Sequence, residues 1–63
     1  MYHIHVKADR STFASLIEIL TVTNNLAFLE DLRRNGVASA VQLEATSKSC
    51  LRSIMGDMAL DNL

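Results

Sequence analysis

Cys50 is the only cysteine in a chain of 63 residues, and those two facts together restrict the fold more than any motif does. A chain this short buries only about 60% of its unfolded surface, so its core is marginal unless something reinforces it. The usual reinforcements are disulfides, a structural metal or a partner subunit. One cysteine closes no disulfide within the chain, and a lone thiol suits a reducing cytoplasm. Cys50 lies far in sequence from His3 and His5, and the three form no recognised ligand spacing. Neither a metal nor any other cofactor is therefore expected. Oligomerisation is what remains. Hydrophobic residues make up 49% of the chain, and apolar surface left over on a small domain usually marks an interface. A homodimer with twofold symmetry is the economical expectation.

The formal net charge of −1 gives none of the basic surplus common in nucleic-acid-binding domains, although it leaves room for a local basic stripe. No run approaches the roughly 20 apolar residues of a membrane helix. The N-terminus does not pair a basic region with an apolar block, as a signal peptide would. A cytoplasmic protein with no membrane partner is the expectation.

The opening stretch "MYHIHVKA" alternates. Tyr2, Ile4, Val6 and Ala8 fall on one face, and His3, His5 and Lys7 on the other. Period two predicts an extended, half-buried segment over residues 1–8, paired with its twin in a dimer or lying across helices. Asp9 or Ser11 can cap a first helix over about residues 11–21, with Phe13, Leu16, Ile17 and Leu20 on its inner face. "TVTNN" then predicts a break near residues 22–25, because threonine, valine and asparagine are poor helix formers. Asn24 or Asn25 can cap a second helix that turns Leu26, Phe28, Leu29 and Leu32 inward. "RRNG" ends it: arginines suit the negative end of the helix dipole, and Gly36 suits the left-handed cap position.

Ser39 and Gln42 have the form of a capping box and predict a third helix running to about Met55, with Gly56 fraying or ending it. Its inner face carries Leu51, Ile54, Met55 and Met58; Lys48, Arg52 and Asp57 point outward. Val37, Val41, Leu43 and Ala45 also alternate, so a short strand over residues 37–45 is the rival. The cap and the helical stripe favour helix. The expected class is therefore all-α: one small domain over residues 1–63, of about three helices with an extended or strand-like N-terminus.

Little in the chain points to chemistry. His3 and His5 share a strand face but lack a third ligand, and read as solvated residues. Cys50 reads as a small packed side chain; a reactive thiol would need an exposed, electropositive setting, for which Lys48 and Arg52 are the only nearby sources. Glu18, Glu30 and Asp31 are ordinary helix-surface carboxylates with no desolvated partner. The chain is small for a cleft that buries a substrate. No enzyme and no small-molecule substrate are expected. Met55 and Met58 can fill the core or serve an adaptable contact surface.

Residues 36–54, "GVASAVQLEATSKSCLRSI", permit a different use. Threaded through a helix-turn-helix pattern, Ala40 and Val41 pack on the buried face of a first helix. Ala45 falls at the turn, and Leu51 and Ile54 anchor the second helix. Ser47, Lys48, Ser49, Arg52 and Ser53 then face the groove, with Arg52 able to bond guanine bidentately. "LEDLRRNG" would be the supporting helix. Glu44 stands against this threading, because it falls at a position that normally packs, where an unpaired carboxylate is costly. A ribbon-helix-helix arrangement, with His3, His5 and Lys7 facing DNA, also has the right element order but lacks a strongly basic ribbon.

In length and in the character of "MYHIHVKADRSTFASLIEIL" and "SCLRSIMGDMALDNL", the chain resembles the small products encoded in the exo–xis region of lambda-like phages. The resemblance covers the chain loosely and carries no diagnostic motif. It implies a helical, dimeric early protein of the host cytoplasm that favours lytic development and disturbs the host cell; it carries over no site residues. The expected function is thus a non-enzymatic accessory protein that binds a host or phage protein. The interface would draw on Tyr2, Ile4, Val6, Phe13, Leu16, Ile17, Leu20, Phe28, Leu51, Ile54, Met55 and Met58. Nucleic-acid binding through residues 47–53 is the alternative.

Overall fold

The computed structural model describes residues 5–63. Among them are five α-helices: α1 (Phe13–Val22), α2 (Leu29–Arg34), α3 (Ala40–Ala45), α4 (Lys48–Met55) and α5 (Asp57–Asp61), with a 3-10 turn at Leu26–Phe28 leading into α2. The described residues contain no strand, and the class is all-α. The rival strand over residues 37–45 does not form, because its C-terminal half is α3. Tyr2, Ile4 and His3 lie outside the described residues.

Two helices end in the same way. At the end of α2, the Val37 N–H donates to Leu32 O at 2.9 Å and the Gly36 N–H to Arg33 O at 3.0 Å. This is a Schellman cap, with Gly36 left-handed at φ 83° and with Leu32 and Val37 both buried. At the end of α1, the Asn25 N–H donates to Leu20 O at 2.7 Å and the Asn24 N–H to Thr21 O at 3.2 Å. Here Asn24, at φ 60°, occupies the position that Gly36 holds in α2. The break near residues 22–25 is present, but Asn24 ends the first helix instead of capping the second. Asn25 is buried, and its amide donates to Thr23 Oγ1 at 3.0 Å and to Ala59 O at 3.5 Å, which ties the break to α5.

The start of α1 also differs from expectation. Thr12 is the N-cap, and neither Asp9 nor Ser11 caps the helix. Asp9 instead accepts from the Ser11 N–H at 3.0 Å and from its hydroxyl at 2.9 Å, forming a turn one step earlier.

The expected third helix is two helices. Thr46 (ψ 134°) and Ser47 (ψ 150°) are extended. The Thr46 hydroxyl bonds back to Gln42 O at 2.7 Å, and Ser47 Oγ accepts from the Cys50 N–H at 3.2 Å, capping α4. Threonine and serine compete for backbone partners in this way, which is why "ATS" interrupts the helix. At the head of α3, Ser39 Oγ accepts from the Gln42 N–H at 3.2 Å, while Gln42 Oε1 accepts from the Ala38 N–H at 2.8 Å. The return bond of the capping box therefore lands one residue earlier than in the standard pattern.

The core consists of Leu16, Ile19 and Leu20 of α1, Leu32 of α2, Val37, Ala40 and Leu43 around α3, and Leu51 and Met55 of α4. Relative to the predicted stripe, α1 is rotated. Ser15 and Ile19 face inward, Ile17 is half-buried, and Phe13 is exposed with the Arg33 guanidinium 5.0 Å from its ring centre. Ser15 tolerates burial because its hydroxyl accepts the Ala40 N–H at 2.9 Å and donates toward Thr12 O at 2.5 Å and Arg10 O at 3.1 Å. Met58 does not point inward. Gly56, at φ 85° and ψ 162°, stops α4 and resets the register, leaving Met58 86% exposed.

Candidate functional site

The residues singled out for the second half of the chain all lie on one short helix. Ser47, Lys48, Ser49, Arg52 and Ser53 are exposed around α4, while Leu51 is buried and Ile54 half-buried beneath it. On the preceding helix Ala40 is buried, but Val41 is 50% exposed, so only one of the two expected packing positions packs. Cys50 is exposed as well, correcting its reading as a packed side chain: it is the third residue of α4 and points away from Leu51.

Glu44 is on the surface. Its carboxylate forms an ion pair with Arg10, both side chains about two-fifths exposed. The desolvation cost that argued against a helix-turn-helix threading does not arise. A break is also present, at Thr46–Ser47, one residue beyond the turn at Ala45 that the threading expects.

The electrostatics are less accommodating. Each of the four arginines faces an acid: Arg10 pairs with Glu44, Arg33 with Glu30 at 3.3 Å, Arg34 with Asp31 at 3.9 Å and Arg52 with Asp57 at 2.5 Å. Phosphate contacts require cations free to neutralise phosphates and displace the counterions condensed on the nucleic acid. On α4, Arg52 is engaged by Asp57, Ser47 Oγ is engaged by the Cys50 N–H, and the Ser53 hydroxyl donates to Ser49 O at 3.2 Å. Lys48 and Ser49 are left without a side-chain partner among these groups. Asp57 was placed as an outward residue in sequence; its return to Arg52 follows from the turn at Gly56 and has no signature in residue spacing.

Beside α4 lie two shallow, open cavities. One, of about 260 Å³, is lined by Lys48, Arg52, Leu60, Asp61 and Leu63. The other, of about 130 Å³, has an apolar floor of Leu43, Leu51, Leu60 and Leu63, with Glu44, Thr46 and Lys48 at its rim. Both are smaller than the clefts that enclose most of a drug-sized ligand. Acids stand next to the cations in each, so neither selects one sign of charge. Among the described residues, no group of three or more His, Cys, Asp or Glu is arranged to hold a metal ion.

Apart from Tyr2 and Ile4, which lie outside the described residues, the expected interface residues divide into three sets. Leu16, Leu20, Leu51 and Met55 belong to the chain's own core and offer no surface. Val6, Ile17, Phe28 and Ile54 are half-buried. Phe13 and Met58 are exposed, together with Val22; Leu26 and Val41, which the spacing turns inward, are exposed as well, Leu26 because it opens the 3-10 turn ahead of α2. Val22 and Leu26 flank the Asn24 turn, and Asn25 inside that turn touches Ala59, the neighbour of Met58.

Two carboxylates are perturbed. Hydrogen bonds from the Ser11 backbone and hydroxyl hold Asp9 below its ordinary value. Glu18 is held down chiefly by the Lys7 backbone N–H, against an opposing contribution from desolvation. Neither lies in a cavity, and both organise the N-terminal turn.

No protein-family model matches the chain, and no curated protein or solved structure matches it significantly. No helix among the described residues is long and apolar enough to cross a membrane.

Proposed function

We propose that this chain is a non-enzymatic interaction module that works by binding another protein, either a second copy of itself or a host or phage protein. The observation that carries this reading is the contrast between its two kinds of surface. Large apolar side chains stand in solvent at Val22, Leu26 and Met58, while every arginine is already matched to an acid of the same chain. Apolar exposure favours a protein partner. Pairing of the arginines with acids weakens the attraction toward nucleic acid and leaves Lys48 as the cation of α4 without an acidic partner among the described residues. Together with the resemblance to exo–xis products, this supports an early accessory protein of a lambda-like phage, acting in the host cytoplasm to favour lytic growth or alter host physiology.

The test is sedimentation of the purified chain beside Leu26→Lys and Met58→Lys variants. Concentration-dependent association that both substitutions abolish, with unchanged circular dichroism, is the expected result for self-association. If the wild type stays monomeric, the same variants are assayed against candidate host and phage proteins. A surface that tolerates both charges without loss of any association would overturn the reading.

One observation favours a second reading. The break between α3 and α4 and the exposed row Ser47, Lys48, Ser49, Arg52 and Ser53 have the layout of a helix-turn-helix regulator. That reading predicts low-salt DNA binding that Lys48→Ala and Arg52→Ala weaken, each also flattening the salt dependence. Fluorescence anisotropy with phage and host DNA at low salt separates the two, and no binding there removes the DNA reading.

A further inference from the structure

Residues 5–8 form no regular secondary structure and bend at residues 7 and 8 as they lead into the Asp9 turn. Val6 and Ala8 are half-buried, and His5 and Lys7 are exposed. Val6 packs against the core. The alternation is that of a strand, but the hydrogen bonding is not. The Lys7 N–H donates to Glu18 Oε2 at 2.6 Å and the Ala8 N–H to Glu18 Oε1 at 3.2 Å. Successive N–H groups of a strand point to opposite sides; here both turn to one carboxylate of α1. Closed in this way, the N–H groups of residues 7 and 8 are taken by Glu18 and are not free to bond a second strand.

The two ends of the segment are held very differently. At its C-terminal end, Arg10 O accepts the Val41 N–H at 3.1 Å and lies 3.1 Å from the buried Ser15 hydroxyl, and the Arg10 guanidinium pairs with Glu44. That end is fastened to α1 and α3 together. At the other end, Glu18 and the packing of Val6 are the fastenings. We propose that residues 5–8 form a flap, hinged at Asp9–Arg10 and latched by Glu18, which swings off α1 while the helical core stays folded and so uncovers the apolar seat beneath Val6. Segments held by few contacts open below the global unfolding free energy, and this flap has one polar latch and one apolar anchor. The inference goes beyond the proposed interaction function: it concerns a movable cover, and it stands or falls independently of which protein is bound.

The titratable and charged groups around the latch are His5 and Lys7 on the flap, Asp9 and Arg10 at the hinge and Glu44 on α3. Lys7 and His5 lie close enough to Glu18 to favour its ionised form.

Amide hydrogen exchange on the full chain tests the flap. In the wild type, the Lys7 and Ala8 amides are expected to exchange about tenfold or more slowly than in an unfolded chain, yet faster than Ile19 and Leu20 in α1. Glu18→Ala should remove the protection at residues 7 and 8 and leave Ile19 and Leu20 unchanged; Glu18→Gln, which keeps one acceptor oxygen, should fall between. An acid titration of the wild type should move the Lys7 and Ala8 amide shifts together, with a midpoint below that of an ordinary glutamate. Unprotected amides at residues 7 and 8, shifts that ignore the acid titration, or loss of core protection in step with the flap in Glu18→Ala would each overturn the proposal.

Discussion

The buried Ser15 hydroxyl of α1 accepts the backbone N–H of Ala40, the first residue of α3, at 2.9 Å. Helix N-termini leave their first N–H groups without intrahelical partners, and in α3 one of these points into the core. Ser15 satisfies it from a neighbouring helix, so the bond joins α1 to α3 beside their shared apolar contacts.

Ser15→Ala should therefore destabilise the chain by about 1–3 kcal/mol, the cost of leaving a buried N–H unpaired. Urea denaturation followed by circular dichroism measures it. A change within a few tenths of a kcal/mol would mean that the Ala40 N–H finds another partner.

The two Schellman caps make opposite predictions at equivalent positions. Gly36 has open space where a Cβ would stand, so Gly36→Ala introduces only the left-handed strain, about 1–2 kcal/mol. Asn24 already bears part of that strain, and Asn24→Gly should raise the thermal midpoint. Equal responses at the two sites would show that the caps are not equivalent.

How far these features are legible in the sequence depends on where their partners lie. Gly36 after two arginines identifies its own cap, because every participant is local. The same cap at Asn24 is harder to read, since asparagine serves at either end of a helix and the residues that follow also begin a helical turn. Ser15 is illegible: a serine on a helix reads as solvent-facing until its partner, Ala40, arrives from α3. A continuous third helix is what the Ser39–Gln42 cap and the following stripe of Leu51, Ile54 and Met55 predict. Thr46 and Ser47 break it through side-chain bonds that periodicity does not register. On α4, exposure of Lys48 and Arg52 is legible from spacing, but the pairing of Arg52 with Asp57 depends on the positive φ at Gly56.

Ser47 is what separates α3 from α4. Ser47→Ala removes the cap bond to Cys50 and should cost about 1 kcal/mol. If the break rests on this bond, the Cys50 amide will also lose hydrogen-exchange protection relative to Leu43 in α3. Undiminished protection at Cys50 would place the cause of the break in Thr46 instead.

Arg10 and Glu44 connect the N-terminal turn to α3 across solvent-exposed surface. A double-mutant cycle with Arg10→Ala and Glu44→Ala should return a coupling of about 0.2–1 kcal/mol at low salt, falling as salt screens the pair. The Arg10 carbonyl bond to Val41 survives both substitutions, so the turn itself should persist. A larger coupling that resists salt would mean the pair is more desolvated than its exposure shows.

Asp9 and Glu18 set the behaviour in acid. Both carboxyls sit below their ordinary values in the folded chain, so at pH just under those values the unfolded chain binds more protons than the folded one. Stability then rises with pH across that interval, is fully present above the ordinary carboxylate values, and is lost as pH falls through the depressed ones. Thermal midpoints between pH 6 and pH 3 should decline, with the decline confined to the acid end. Asp9→Asn and Glu18→Gln should each flatten that decline and leave the slope above pH 6 unaltered. The two effects should combine additively apart from any coupling through the turn, because Asp9 is titrated against Ser11 and Glu18 against residues 7 and 8. A decline that neither variant changes would locate the acid sensitivity in the surface ion pairs instead.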